Sequence, residues 1–201
     1  GSGNVGFSGA GGPAIHARLD RPNGLALDEA GNLYVADSEN RRIRKIDTDG
    51  IITTICGSDA YSGFVDVPGP AVEAGLGRPE KIMFDRNARL YIVDSSTSRV
   101  KRVDAHGVIS TVAGKGLYHP AKQTGDAGPP REALLVFPKA IFIQGDGHWY
   151  VSETHYPRIR KVAPRSAFPV LITSTTDGAT HRSATVQLSG RVEPDATVTP
   201  W

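Results

Sequence analysis

Between residues 21 and 57 the apolar side chains fall into four short runs, Leu25–Leu27, Leu33–Ala36, Arg42–Ile46 and Ile51–Ile55, each bounded by polar turn residues. Runs of this length bracketed by Gly, Asp and Thr predict β-strands rather than helices. The turn at Glu29-Ala30-Gly31 separates the first two runs and Thr48-Asp49-Gly50 precedes the fourth. At such places glycine can take the positive φ that a tight hairpin requires. Apolar residues occupy neighbouring as well as alternate positions, as in Leu25-Ala26-Leu27 and Ile82-Met83-Phe84. A strand patterned in this way is covered on both faces, whereas a sandwich would leave polar residues on every outward face.

The pattern recurs from Arg21, from Arg78 and from Phe137, aligning without a gap over about thirty positions. Pro22, Pro79 and Pro138 lie 57 and 59 residues apart, and the same offsets relate Tyr34, Tyr91 and Tyr150. The linkers repeat too, Gly12-Pro13-Ala14 matching Gly69-Pro70-Ala71 and, more loosely, Gly128-Pro129-Pro130. A four-stranded antiparallel unit that must be buried on both faces, repeated along the chain, predicts a β-propeller blade held between two neighbours. The expected fold is all-β, a partial propeller of three four-stranded blades at about 20–57, 77–114 and 136–172, the last with a poor or absent fourth strand. Complete propellers use about four to eight blades. The reading therefore expects about two to four further blades upstream, with apolar flanks and strand edges exposed on the first and third blades.

The stretch P-x-G-L-A-x-D-x-x-G-N-L-Y-V-A-D-S-x-N-x-R-I-R-K-I-D-x-x-G, running from Pro22, resembles the NHL repeat. The second copy keeps Asp85, Tyr91, Asp94 and Arg99, and the third replaces the two acids with Gln144 and Glu153. The likeness covers residues 1–163, and the linkers are similar to the long loops of bacterial and teneurin-type NHL propellers. Those loops often read Gly-Asp-Gly-Gly-Pro-Ala; here Ala10 and Val67 replace the acid and Asp126 keeps it. Beyond Pro164 and Pro169 the repeat decays, and residues 170–201 resemble the opening strands of a bacterial Ig-like module, including Asp195-Ala196-Thr197-Val198-Thr199. That arrangement implies an exported or cell-surface protein.

Charge poses the sharpest question. Asn40-Arg41-Arg42-Ile43-Arg44-Lys45 packs four cations into six residues, the look of a phosphate-binding patch. Yet the chain has 23 Lys+Arg against 21 Asp+Glu, a net charge of +2, so no global excess favours a polyanion. The cluster returns in register as Arg99-Val100-Lys101-Arg102 and Arg158-Ile159-Arg160-Lys161. A residue that closes a turn has reason to recur in every blade; one that touches a single ligand does not. The expectation is a structural clamp in which Arg42, Arg99 and Arg158 bond the acid five residues earlier (Asp37, Asp94, Glu153) or an adjoining backbone carbonyl.

Other chemistry is thinly represented. The single cysteine, Cys56, excludes an internal disulfide. The six histidines occupy unrelated repeat positions and form no short ligand pair, so neither a metal site nor a cofactor is expected. No apolar run reaches the roughly 18 to 20 residues that span a bilayer, and the first residues are neither a Met nor a charged-then-apolar segment, which leaves targeting open. Asp47-Thr48-Asp49-Gly50 lacks the later ligands of a calcium loop and is expected to be a plain turn. The expected function is a non-enzymatic platform for a protein or carbohydrate ligand. The resemblance leaves two alternatives: a lyase or hydrolase whose metal site other blades complete, and an RNA-binding propeller. Binding residues are expected among large or polar loop residues that differ between copies, namely Asn40, Tyr61, Tyr118, His119, His155 and Tyr156.

Overall fold

The computed structural model describes residues 1–59, 67–116 and 125–163, together with the backbone of 197–200. Fourteen strands make three antiparallel sheets. The first contains β1 (Gly12–Pro13), β2 (Pro22–Leu27), β3 (Leu33–Asp37), β4 (Arg42–Ile46) and β5 (Ile51–Cys56), in the order β1-β5-β4-β3-β2. The second contains β6 (Gly69–Pro70), β7 (Pro79–Phe84), β8 (Leu90–Asp94), β9 (Arg99–Val103) and β10 (Val108–Ala113), in the equivalent order β6-β10-β9-β8-β7. The third is β11 (Pro138–Ile143), β12 (Trp149–Glu153), β13 (Arg158–Ala163) and β14 (Thr197–Pro200), in sequence order. Among the described residues, helix is confined to four three-residue 3-10 turns.

Two features correct the expected four-stranded blades. In the first two blades the linker itself adds a fifth strand, since Gly12-Pro13 and Gly69-Pro70 pair with β5 and β10. The outer edge of a sheet presents unpaired N–H and C=O groups. A recurring Gly-Pro in the linker covers part of that edge while proline's missing N–H faces away. In the third blade, Thr197–Pro200 pair with β13, with Val162 opposite Val198. The range 136–172 is therefore not the whole third sheet, because its outer strand comes from residues assigned above to the Ig-like segment. The rest of that assignment, 170–196 and 201, lies outside the described residues.

The blades stack through apolar faces. On β8 the side chains alternate: Leu90 and Ile92 pack toward the first blade with Ala36, Ile43 and Cys56, whereas Tyr91 and Val93 pack toward the third with Trp149 and Val151. This two-sided burial is why the strands lack a polar face. Each large aliphatic side chain so buried is worth about 1.5–3 kcal/mol. Tyr34, Tyr91 and Tyr150 stand at one register, opposite Ala26, Met83 and Phe142. Tyr34 meets Phe84 edge-on at 4.8 Å, and Tyr91 meets Trp149 at 5.8 Å. On the outer flanks Leu25 and Leu27 of the first blade and Phe142 and Ile159 of the third are more than half exposed.

Strand pairing also fixes which loops share a face. Pro22 lies opposite Asp37 and Ile43 opposite Cys56, so the start of each first strand, the β3–β4 loop and the exit from β5 gather at one end of the blade. The same holds in the second blade, where Pro79 lies opposite Asp94 and Val100 opposite Ala113.

Candidate functional site

At this end of each blade a buried acid closes the second strand. Asp37 accepts the Asp20 N–H at 2.7 Å, Asp94 accepts the N–H groups of Gly77 and Arg78 at 2.9 and 2.8 Å, and Glu153 accepts that of Val136. The acid thus pins the chain entering the first strand. Burial is complete enough to push the Glu153 carboxyl above its ordinary value, outweighing the Arg160 guanidinium beside it.

The expected cation is displaced by two residues. Arg44 pairs with Asp37 at 3.5 Å and Arg160 with Glu153 at 3.5 Å, and both arginines are buried. Arg42, Arg99 and Arg158 do not bond the acids. Arg42 and Arg99 donate to the carbonyls of Asn40 and Thr97 at 2.8 and 3.3 Å, the adjoining-carbonyl form of the clamp. Arg42 also holds Asp59 at 2.7 Å, which lowers that carboxyl's pKa, while Arg158 lies 3.6 Å from Asp126. The reason is register. Asp37 is directly opposite Arg42 and Glu153 opposite Arg158, whereas Arg44 and Arg160 are diagonal neighbours, about 7–8 Å away at the backbone, a separation that suits the reach of an arginine.

The linker acid has a role in the same cluster. Asp126 binds Arg160 at 2.6 Å. Where Ala10 replaces it, Arg44 donates to the Ser8 carbonyl at 3.2 Å and lies 4.8 Å from the centre of the Phe7 ring. Where Val67 replaces it, the equivalent buried cation is a lysine, Lys101. The basic stretch that looked like a phosphate patch therefore turns two of its four cations, Arg42 and Arg44, into the blade.

A different set of side chains occupies the rim. Asn23, Glu80 and Lys139 are equivalent first-strand residues, and they touch one another: Asn23 Nδ2 donates to the Glu80 carboxylate, and Lys139 Nζ lies 2.8 Å from it. Glu80 is buried and also lies 3.4 Å from both Arg78 Nε and Ser95 Oγ. Glu39, at the tip of the first β3–β4 loop, stands 3.2 Å from Arg21 and 3.3 Å from Arg78. Between the second and third blades the rim opens into a cleft of about 360 Å³. Arg78, Glu80 and Lys139 line it with the hydroxyl residues Ser95, Ser96 and Thr154 and the rings of Phe137 and His155. His155 stacks 5.8 Å from Phe137 and meets Tyr156 edge-on at 5.1 Å.

The sequence candidates divide accordingly. His155 lines the cleft and Tyr156 stands behind it. Asn40 is a correction: its amide donates to the Gly6 carbonyl at 2.8 Å and to both Asp37 oxygens at 2.9 Å, so it ties the linker to the clamp. Tyr61, Tyr118 and His119 lie outside the described residues. Arg78, Glu80, Phe137 and Lys139 were missed, although their signal was present: they flank the recurrent prolines and change chemistry from copy to copy.

Two other features hold no ligand chemistry. Asp47 Oδ1 accepts the N–H groups of Asp49 and Ile51 at 3.1 and 2.8 Å, a self-contained turn. Cys56 is fully buried, which pushes its thiol up to about 12 and keeps it protonated. Among the described residues no group of three His, Cys, Asp or Glu side chains is placed to hold a metal ion.

Residues 3–69 match the family model of the Teneurin NHL domain. Teneurin-m of Drosophila melanogaster is 29% identical over 167 residues, covering 80% of this chain and 6% of that protein. NHL repeat-containing protein 2 of Gallus gallus is 34% identical over 110 residues, covering 50% of this chain and 15% of that protein. Among solved structures, a structural genomics protein of unknown function from Bacteroides thetaiotaomicron is 27% identical, with a TM-score of 0.59 over 78% of this chain and 37% of that one. An auxiliary nutrient binding protein from Bacteroides ovatus has the same fold at 21% identity, with a TM-score of 0.57 over 71% of this chain and 37% of that one. The chain thus spans a small part of the curated relatives it matches and well under half of these structures. Residues 3–69 thus match a teneurin-type NHL repeat domain, and the stacked sheets have a β-propeller-like fold.

Proposed function

We propose that this segment is a non-enzymatic binding platform whose ligand seat is the rim cleft between the second and third blades, and that the ligand is a carbohydrate. The observation that carries this reading is the division of labour at one end of the blades. Residues that recur in register are buried in the clamp, whereas residues that change between copies, among them Glu80, Ser96, Phe137 and Lys139, converge on a cleft beside Arg78 and Ser95. Its volume of about 360 Å³ falls in the range of about 300–1,000 Å³ typical of small-molecule sites. A protein partner would call for a broader patch, of about 800 Å² per side. Aromatic rings beside hydroxyls and charged groups offer the apolar face and the hydrogen bonds that a sugar ring presents in turn.

The RNA-binding alternative draws less support, because the recurrent cations that prompted it are largely buried in ion pairs and carbonyl contacts. Display outside the cell is part of the reading and rests on the Ig-like sequence resemblance of the C-terminal stretch, of which Thr197–Pro200 pair with the third blade.

The test is a glycan panel with the intact protein, followed by titration calorimetry on any hit. Phe137→Ala and His155→Ala should each weaken binding about tenfold, the scale of losing an aromatic contact, while the thermal midpoint stays within a degree or two of wild type, as for surface changes of about 0.5 kcal/mol. Absence of any glycan ligand, or a hit that ignores both substitutions, would refute the assignment.

A further inference from the structure

We propose that the rim cleft selects an acidic sugar, a uronic acid unit whose carboxylate is bound between Arg78 and Lys139; this rests on the carbohydrate reading above. The argument comes from the protein's own second example of the site. At the seam between the first and second blades, the loop residue Glu39 places a carboxylate between the guanidinium groups of Arg21 and Arg78, at 3.2 and 3.3 Å. The equivalent loop residue at the seam between the second and third blades is Ser96, which is exposed and lines the cleft. The loop carboxylate over the first seam thus has no counterpart over the second, where Glu80 from the first strand is the acid that contacts Arg78 and Lys139.

The charges follow the same logic. The first seam sets Arg21 and Arg78 against Glu39 and Glu80, with Asn23 neutral, so positive and negative groups balance. Arg78 and Glu80 belong to both seams, and the second adds Lys139 with the uncharged Ser96 and Phe137, so that Arg21, Arg78 and Lys139 together face Glu39 and Glu80 with one cation in excess. One carboxylate from a ligand restores the balance found in the first seam. Charge-assisted hydrogen bonds of this kind are about twice as strong as neutral ones. Lys139 has one carboxylate contact and about half of its side chain exposed, so its ammonium has donors to spare. Glu80, held by Lys139, Arg78, Asn23 and Ser95, stays fixed as the counter-charge that bridges the two cations from beneath the rim. Phe137 replaces the arginine found at this position in the two earlier copies, which exchanges a charge for an apolar ring beside the cleft.

The experiment titrates the intact protein with tri-galacturonic acid, with its methyl ester, which keeps the rings and removes the charge, and with a Glu-rich peptide. The acid should bind at least about tenfold more tightly than the ester. Lys139→Met should erase that preference, and Ser96→Glu, which rebuilds the carboxylate of the first seam, should abolish binding of the acid without lowering the thermal midpoint. Equal affinity for acid and ester would overturn the proposal while leaving the carbohydrate reading in place. Binding of neither saccharide, or of the peptide alone, would also overturn the proposal, and the carbohydrate reading falls with it when the glycan panel yields no ligand.

Discussion

Between the first and second blades, Glu39 stands between Arg21 and Arg78 and the seam is closed at its rim; between the second and third, Ser96 takes the place of Glu39 and a cleft opens. Beneath the rim the two seams are alike. Tyr34 and Tyr91 occupy one register and each meets a ring of the next blade, Phe84 in one seam and Trp149 in the other, among β-branched and aliphatic side chains. The difference shows where the repeat is free to vary. In the body of a seam each side chain must fill a volume shared with the next blade, so a change there costs packing. At the rim water can replace a missing partner, and the chemistry can drift or specialise.

The clamp should be the most expensive place to break that arrangement. Arg160→Ala leaves Glu153 and Asp126 without their shared cation, and removing one partner of a buried pair costs about 3–5 kcal/mol. Urea denaturation of the intact protein measures it; a loss under about 1 kcal/mol would show that the cluster is not a clamp. Asp94→Ala, which strips acceptors from two backbone N–H groups, should cost about 2–4 kcal/mol in the same assay.

A smaller effect separates the two seams at the first strands. Gly24 of β2 lies so close to β7 that an added Cβ would sit 2.7 Å from the Glu80 carbonyl oxygen and 2.9 Å from the Ile82 nitrogen. Its equivalents, Lys81 and Ala140, already carry a Cβ. Gly24→Ala should therefore cost about 1–3 kcal/mol by prying the seam apart, whereas Lys81→Ala should be close to neutral. Equal costs would mean that the strands are not in closer contact at the first seam.

Cys56 reports on the body of that seam without a mutation. Its burial raises the thiol from 9.0 to about 12, so above pH 9 the unfolded chain loses a proton that the folded chain keeps. Stability should fall as pH rises from about 9 towards 12, and Cys56→Ala should reduce that slope, leaving the part due to the raised Tyr34 and Tyr91 phenols. In the native protein at pH 8 the thiol should resist iodoacetamide; rapid labelling would place it outside the core. The smallest change is expected at the rim itself. Glu39→Ala breaks only solvent-exposed pairs, so the thermal midpoint should fall by an amount equivalent to about 0–1 kcal/mol.

Sequence alone was enough for the strands, the repeat and the equivalence of Tyr34, Tyr91 and Tyr150, because strand pattern and turn chemistry are local and a repeated unit states its register several times. It also gave a reason, recurrence in register, to read the repeated cations as architectural. Tertiary structure decided the partners. That Arg44 and Arg160, rather than Arg42 and Arg158, meet the acids depends on diagonal reach across a strand pair. That Gly12-Pro13 and Gly69-Pro70 extend their sheets, and that Thr197–Pro200 pair with β13, depends on which edge remains open once the four main strands have assembled. The cleft was the least legible part. Arg78, Glu80, Phe137 and Lys139 are far apart in the chain and become neighbours only when the starts of consecutive first strands are set side by side, a juxtaposition produced by the stacking of blades and encoded by no single repeat.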